Sequence, residues 1–143
     1  KDYEKAEADH TKAIELDPEN DKNYYYRGNF YRYLEDNDKA IADFTKAIEL
    51  DPVDAYNYFE RGDAYAYNEQ YNEALASYLK AEELDKDKSL AKSEGLYTNM
   101  AVVFDELEQN DKVVEYITKE IEIKPDYSLG YRNRALLYIR VKD

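Results

Sequence analysis

The stretch from Asp21 to Asp54 reads DKNYYYRGNFYRYLEDNDKAIADFTKAIELDPVD, and its pattern returns 34 positions later. Tyr24, Gly28, Tyr31, Ala40, Phe44, Ala47 and Pro52 are answered by Tyr58, Gly62, Tyr65, Ala74, Tyr78, Ala81 and Lys86. A half-copy, Ala6, His10, Ala13 and Pro18, precedes it at the same offset. Self-similarity at such a period marks a one-dimensional array of small units, each sharing its core with its neighbours. The expected role of an array of this kind is binding rather than catalysis.

Within the quoted stretch, Tyr24, Gly28 and Tyr31 fall on one helix face at four- and three-residue spacing. Ala40, Ile41, Phe44, Ala47 and Ile48 do the same in a second segment. The polar run Glu35-Asp36-Asn37-Asp38 between them is short enough to reverse the chain and start another helix, so the unit is an antiparallel helix pair. Gly28 gives up about 1 kcal/mol of helix propensity relative to alanine, which close approach of the two helices can offset. Leu16-Asp17-Pro18 and Leu50-Asp51-Pro52 end second helices, because proline moves the preceding residue out of the helical region.

After Lys86 the period slips. The next equivalent proline is Pro125, 39 residues after Lys86, which places Tyr97, Ala101, Phe104, Val113 and Ile117 in the repeated roles. The five extra residues fall within Asp87 to Ser93. Ser89-Leu90-Ala91-Lys92-Ser93-Glu94 contains no proline or glycine, so the expectation is a lengthened first helix, with a short separate helix as the alternative. The segmentation is then a single array over 1–143. It comprises a second helix of a partial repeat (1–20), two full repeats (21–54 and 55–88), an insertion extending the following helix (89–93), a divergent repeat (94–127) and the first helix of a partial repeat (128–143).

There are 17 tyrosines, 4 phenylalanines and no tryptophan, so most core rings carry a hydroxyl that needs water or a partner. Acidic residues outnumber basic ones 33 to 20, a formal charge of -13. That charge opposes non-specific binding to nucleic acid or an anionic bilayer. Cysteine is absent, which excludes disulfides and thiolate chemistry. No apolar run is long enough to span a membrane, and no signal peptide or other targeting signal is visible. The localisation therefore stays unassigned, with a soluble chain expected.

The sequence opens inside a repeat without an initiator methionine, as an excised fragment would. The helices near Tyr3 to Leu16 and Leu129 to Val141 each lack a partner in the pattern. Each is expected to expose an apolar strip, Ala6, Ala13 and Ile14 at one end and Tyr131, Ala135 and Tyr138 at the other. Truncation of a longer array and a homo-oligomer completed through these terminal helices both account for the strips.

The pattern resembles the tetratricopeptide repeat, a 34-residue helix-turn-helix with small, aromatic and proline residues at the positions just quoted. Asp21 through Asp54 match every position, with Tyr24 where tryptophan is commoner. Ala55 through Lys88 depart only at Lys86, whereas Glu94 through Tyr127 depart at Val113, Ile117 and Glu120. The resemblance implies an all-α, right-handed superhelical solenoid of antiparallel helix pairs. It also implies a concave face, lined by first helices, that takes a protein partner as an extended peptide or a helix. Position by position, that face corresponds to Lys22, Tyr25, Tyr26, Asn29, Arg32 and Tyr33 in the first full repeat. Tyr56, Phe59, Glu60, Asp63 and Tyr67 continue it, followed by Thr98, Asn99, Val102 and Asp105, then Arg132, Asn133, Leu136 and Arg140.

The rings among these residues lie off the Tyr24-Gly28-Tyr31 packing face, where a large side chain gains from a partner; padding between adjacent first helices is the competing role. Replacing Tyr25, Tyr56 and Tyr67 together is expected to lower partner retention without changing helicity. Family members that capture an acidic carboxyl-terminal tail use lysine, asparagine, asparagine, lysine and arginine where this chain has Tyr25, Asn29, Glu60, Gly95 and Asn99. Only Asn29 fits, and Glu60 would repel a carboxylate.

Enzyme activity is not expected. His10 is the only histidine, it has no cysteine to activate, and a packing role suits it better. Acids one or two residues apart, such as Glu82 with Glu83 and Asp36 with Asp38, do not share a helix face, and solvated carboxylates rarely become catalytic acids. No metal, no cofactor, no nucleic acid and no membrane insertion are expected.

Overall fold

A computed structural model of the chain describes residues 2–93 and 95–140. Among these are nine helices and no strand. The chain divides into two compact units, Lys1–Leu84 and Asp85–Asp143. The boundary falls beside Lys86, where the terminating proline is missing and the period slips.

Unit 1 holds α1 (Tyr3–Leu16), α2 (Asp21–Tyr33), α3 (Asn37–Leu50), α4 (Ala55–Tyr67) and α5 (Tyr71–Leu84). Helix starts are set by side chains that accept from exposed backbone amides: Asn20 from Lys22, Asp36 from Lys39 and Asp54 from Tyr56. The pairs α2·α3 and α4·α5 pack face to face, and α3 joins them by packing on α4. The small residues set how closely they approach. A Cβ at Gly28 would lie 2.8 Å from the Phe44 ring, and one at Gly62 would lie 2.6 Å from the Tyr78 ring. Tyr31, Ala40, Phe44 and Ala64 form the buried cluster, with Tyr25, Phe30 and Ile41 against its edge.

The tyrosine hydroxyls find partners as their chemistry requires. Tyr31 donates to Glu7 at 2.8 Å, Tyr78 to Asp63 at 2.7 Å and Tyr58 to the Pro52 carbonyl at 3.2 Å. Between first and second helices the chain turns through a glutamate with positive φ, 61° at Glu35, 58° at Glu69 and, in unit 2, 57° at Glu108. In each turn the amide of the next residue bonds back to the helix it leaves, as Gln70 does to Tyr65 at 2.9 Å.

Unit 2 holds α6 (Ser89–Ser93), α7 (Leu96–Glu106), α8 (Asn110–Ile123) and α9 (Ser128–Arg140). The expected lengthened first helix is not formed. Gly95 adopts φ +75°, a left-handed conformation that separates α6 from α7. The buried Asp85 carboxylate fixes the start of α6, accepting from the Ser89 hydroxyl and the Leu90 and Ala91 amides at 3.1 Å each. Leu90, Leu96, Met100 and Val103 are fully enclosed, and the Phe104 and Tyr116 rings stack at 5.2 Å.

The terminal helices are the least covered. α1 has no fully buried residue, and Ala6, Ala13 and Ile14 are half-buried. On α9 only Gly130 and Leu137 are buried, while Tyr131, Ala135 and Tyr138 are exposed. No helix among the described residues is long and apolar enough to cross a membrane.

Candidate functional site

In unit 1, α2 and α4 present side chains to one cleft of about 780 Å³, lined by Asn29, Arg32, Tyr33, Glu35, Asn37, Asp63 and Tyr67. Five of these seven are among the residues expected on the inner face. Tyr33 and Tyr67 are 59% and 72% exposed, with the Tyr33 ring centroid 6.1 Å from that of Tyr3. Arg32 Nη1 reaches both Glu60 Oε2 and Asp63 Oδ2 at 2.7 Å. The cleft is therefore charged, aromatic and held in place by ion pairs between successive first helices. Asn29 adds an amide that bonds back to the Tyr25 carbonyl at 3.2 Å.

Two of the expected surface residues belong to the interior. Phe59 is 3% exposed and packs toward Tyr78 with ring centroids 6.0 Å apart. Glu60 is 8% exposed and serves Arg32 rather than a basic ligand. Tyr25 is half-buried, its ring 6.1 Å from Phe44, and burial pushes its hydroxyl above the ordinary tyrosine range. It pads the edge of the core cluster. Tyr26 and Tyr56 are exposed outside the cleft lining.

Lys22 spans two carboxylates, Asp54 Oδ2 at 2.5 Å and Asp21 Oδ2 at 3.1 Å, and the Asp54 contact raises its pKa well above the usual lysine value. Asp21, Asp51 and Asp54 bring carboxylate oxygens within 4.8 Å of one another, the one grouping of metal-ligating type among the described residues. The Lys22 ammonium already supplies positive charge to two of the three. His10 sits against Phe30 at 5.4 Å between ring centroids, a packing contact.

Unit 2 carries a second cleft, of about 340 Å³, between α7 and α9 over α8. Thr98, Val102, Asp105, Asn133, Leu136 and Arg140 line it as the pattern placed them, whereas Asn99 and Arg132 do not. Its floor is Ala101, Val113 and Ile117, which the pattern puts in the repeated packing roles, together with Leu137. Ile117 stands where the first two repeats carry the Phe44 and Tyr78 rings, and leaves room that an aromatic would have filled. At the rim, Thr98 donates to Glu120 at 2.5 Å, and Arg140 pairs with Asp105 and donates to Asn110 at 2.9 Å.

Two models of the tetratricopeptide repeat match the chain, over residues 22–54 and 44–76. No curated protein matches it. Solved structures do. A crystal structure of MamA superposes with a TM-score of 0.87 at 24% identity, covering 99% of this chain and 80% of that one. YrrB, described as a repeat protein with an unusual peptide-binding site, gives 0.76 at 25% identity over 90% of this chain and 63% of its own. The first repeat domain of Spaghetti (RPAP3), bound to the HSP90 peptide SRMEEVD, gives 0.73 at 17% identity over 84% and 91%.

Proposed function

From the premise that this chain is a tetratricopeptide repeat protein, we propose that it is a non-catalytic protein-interaction module whose first helices hold a peptide or a helix. The observation that carries this reading is the unit 1 cleft, where Tyr33 and Tyr67 flank Asn29, Arg32 and Asp63. Tyrosine offers large contact area with few rotatable bonds, and a ring left in solvent gains most from a partner. Arg32 and Asp63 neutralise one another, so the cleft suits a ligand of mixed charge with an apolar side chain rather than a uniformly acidic tail. Taken by itself, the unit 2 cleft has an apolar floor that suits an apolar side chain of a partner.

The test is selection of displayed random peptides on the immobilised chain, repeated with Tyr33→Ala/Tyr67→Ala. Sequences enriched on the wild type should lose at least about tenfold in affinity on the variant while its circular dichroism is unchanged. Enrichment that is equal on both proteins would remove the cleft from the account.

A further inference from the structure

Repeat register puts two arginines of unit 1 in the same place with different partners. Arg27 of α2 binds Asp43 of α3 along one edge of its guanidinium, Nε to Oδ2 at 2.7 Å and Nη2 to Oδ1 at 2.8 Å, and donates from Nη1 to Thr11 at 3.3 Å. Arg61 of α4, 34 positions on, donates from Nη1 to Thr45 at 3.4 Å in the same way, but Ser77 of α5 stands where Asp43 did. Its Nε donates to the Ser77 hydroxyl at 3.2 Å, while Nη2 has no hydrogen-bond partner among the described residues and is not buried. The carboxylate is gone and the guanidinium is kept, so a partly buried positive charge has no counter-charge among the described residues. The corresponding places in unit 2 hold Met100 and Tyr116, where acid and arginine are both replaced.

Two hydroxyls beside Arg61 add to this. A hydroxyl that accepts from a guanidinium still has its own proton to give. Thr118, at the Thr45 position in unit 2, gives its proton to the Val114 carbonyl at 2.8 Å, whereas neither Thr45 nor the buried Ser77 has an acceptor among the described residues. The Tyr58 and Tyr65 rings lie 5.5 and 6.0 Å from the centre of the guanidinium and fix its position. We propose that Arg61, Ser77 and Thr45 form a binding site for a small carboxylate. One of its oxygens takes from Nη2 the hydrogen bond that Asp43 Oδ1 takes from Arg27, and also accepts the Ser77 proton; the Thr45 hydroxyl is the further donor beside Nη1. A planar carboxylate matches the guanidinium edge as Asp43 does, which a bulkier tetrahedral phosphate would not. The net charge of -13 opposes every anion, so selectivity rests on this geometry and the affinity is modest. None of the three residues lines either cleft, so the site is separate from peptide binding.

Nuclear magnetic resonance titration of the whole chain with sodium acetate, against sodium chloride at matched ionic strength, reads the site at the Ser77 amide and the Arg61 Nε–H. Acetate should shift both and saturate on the order of 10 mM, with no saturating shift from chloride. Ser77→Asp, which supplies the carboxylate internally, and Arg61→Gln, read at the Ser77 amide, should each weaken acetate binding by at least about tenfold. Should Arg61→Gln lose helicity, Ser77→Asp tests the same site with the arginine in place. N-acetyl-aspartate amide distinguishes the sources: binding like that of acetate admits an acidic side chain of a partner, and binding of acetate alone assigns the site to free carboxylates. Either result upholds the site. An acetate shift that does not saturate, or that Ser77→Asp leaves unchanged, would overturn it, as would phosphate binding more tightly than acetate.

Discussion

At the scale of single residues, position in the repeat sets the face of a side chain but not its depth. Tyr25 and Phe59 occupy the same repeat position, yet Tyr25 is half-buried and Phe59 lies in the core. The hydroxyl keeps one ring near the edge; the other is free to go deeper. Phe59→Ala should therefore cost about 3–5 kcal/mol in urea unfolding, whereas Tyr67→Ala should stay within about 0.5 kcal/mol. Titration gives a second test. Burial, then the hydrogen bond to Glu7, raises the Tyr31 pKa; burial raises that of Tyr25; and Asp54 raises that of Lys22. Each folded-state value lies above the unfolded one, so their stabilisation is complete below the unfolded value. For the tyrosines that is about pH 10, and stability falls as pH rises through the folded values. Urea midpoints should hold near about pH 8 and drop by about pH 10.5, with a shallower drop in Tyr31→Phe.

At the scale of elements, the least regular one is also the most specifically anchored. Asp85 supplies three hydrogen bonds to the start of α6 from a buried carboxylate. Asp85→Ala should cost about 1–3 kcal/mol, and hydrogen exchange should quicken at the Leu90 and Ala91 amides before it does in α8. The helix pairs themselves were legible, since Tyr24, Gly28 and Phe44 state both period and packing partner. The break before α7 was less so: Gly95 is plain in the sequence, but its left-handed backbone is a product of the fold. Glu60 shows the same limit. Its burial depends on Arg32 in the preceding first helix, and no local spacing announces a partner 28 residues away. The unit 2 cleft was half legible, its rim from repeat positions and its floor hidden among residues that looked like ordinary core.

At the scale of the whole molecule, a net charge of -13 acts on both stability and association. Several surface ion pairs among the described residues are exposed lysine–carboxylate pairs three residues apart, such as Lys46–Glu49 and Lys80–Glu83, each worth little. Self-repulsion should outweigh them, so the thermal midpoint should rise as salt goes from about 20 mM to about 200 mM, when the screening length shortens to roughly the spacing of surface charges. A falling midpoint would mean that the ion pairs prevail. The left-handed glutamates at the turns bear on how the gene can change. A glutamate codon becomes a glycine codon by one base substitution, and glycine adopts positive φ without the cost of a Cβ. Glu69→Gly should raise stability by about 0.5–1 kcal/mol in thermal unfolding, and Glu108 offers the same step; neither side chain lines a cleft. Such silent gains away from the clefts form a mutational reserve, on which costlier changes of ligand preference at Tyr33 or Tyr67 could be tolerated in a descendant lineage.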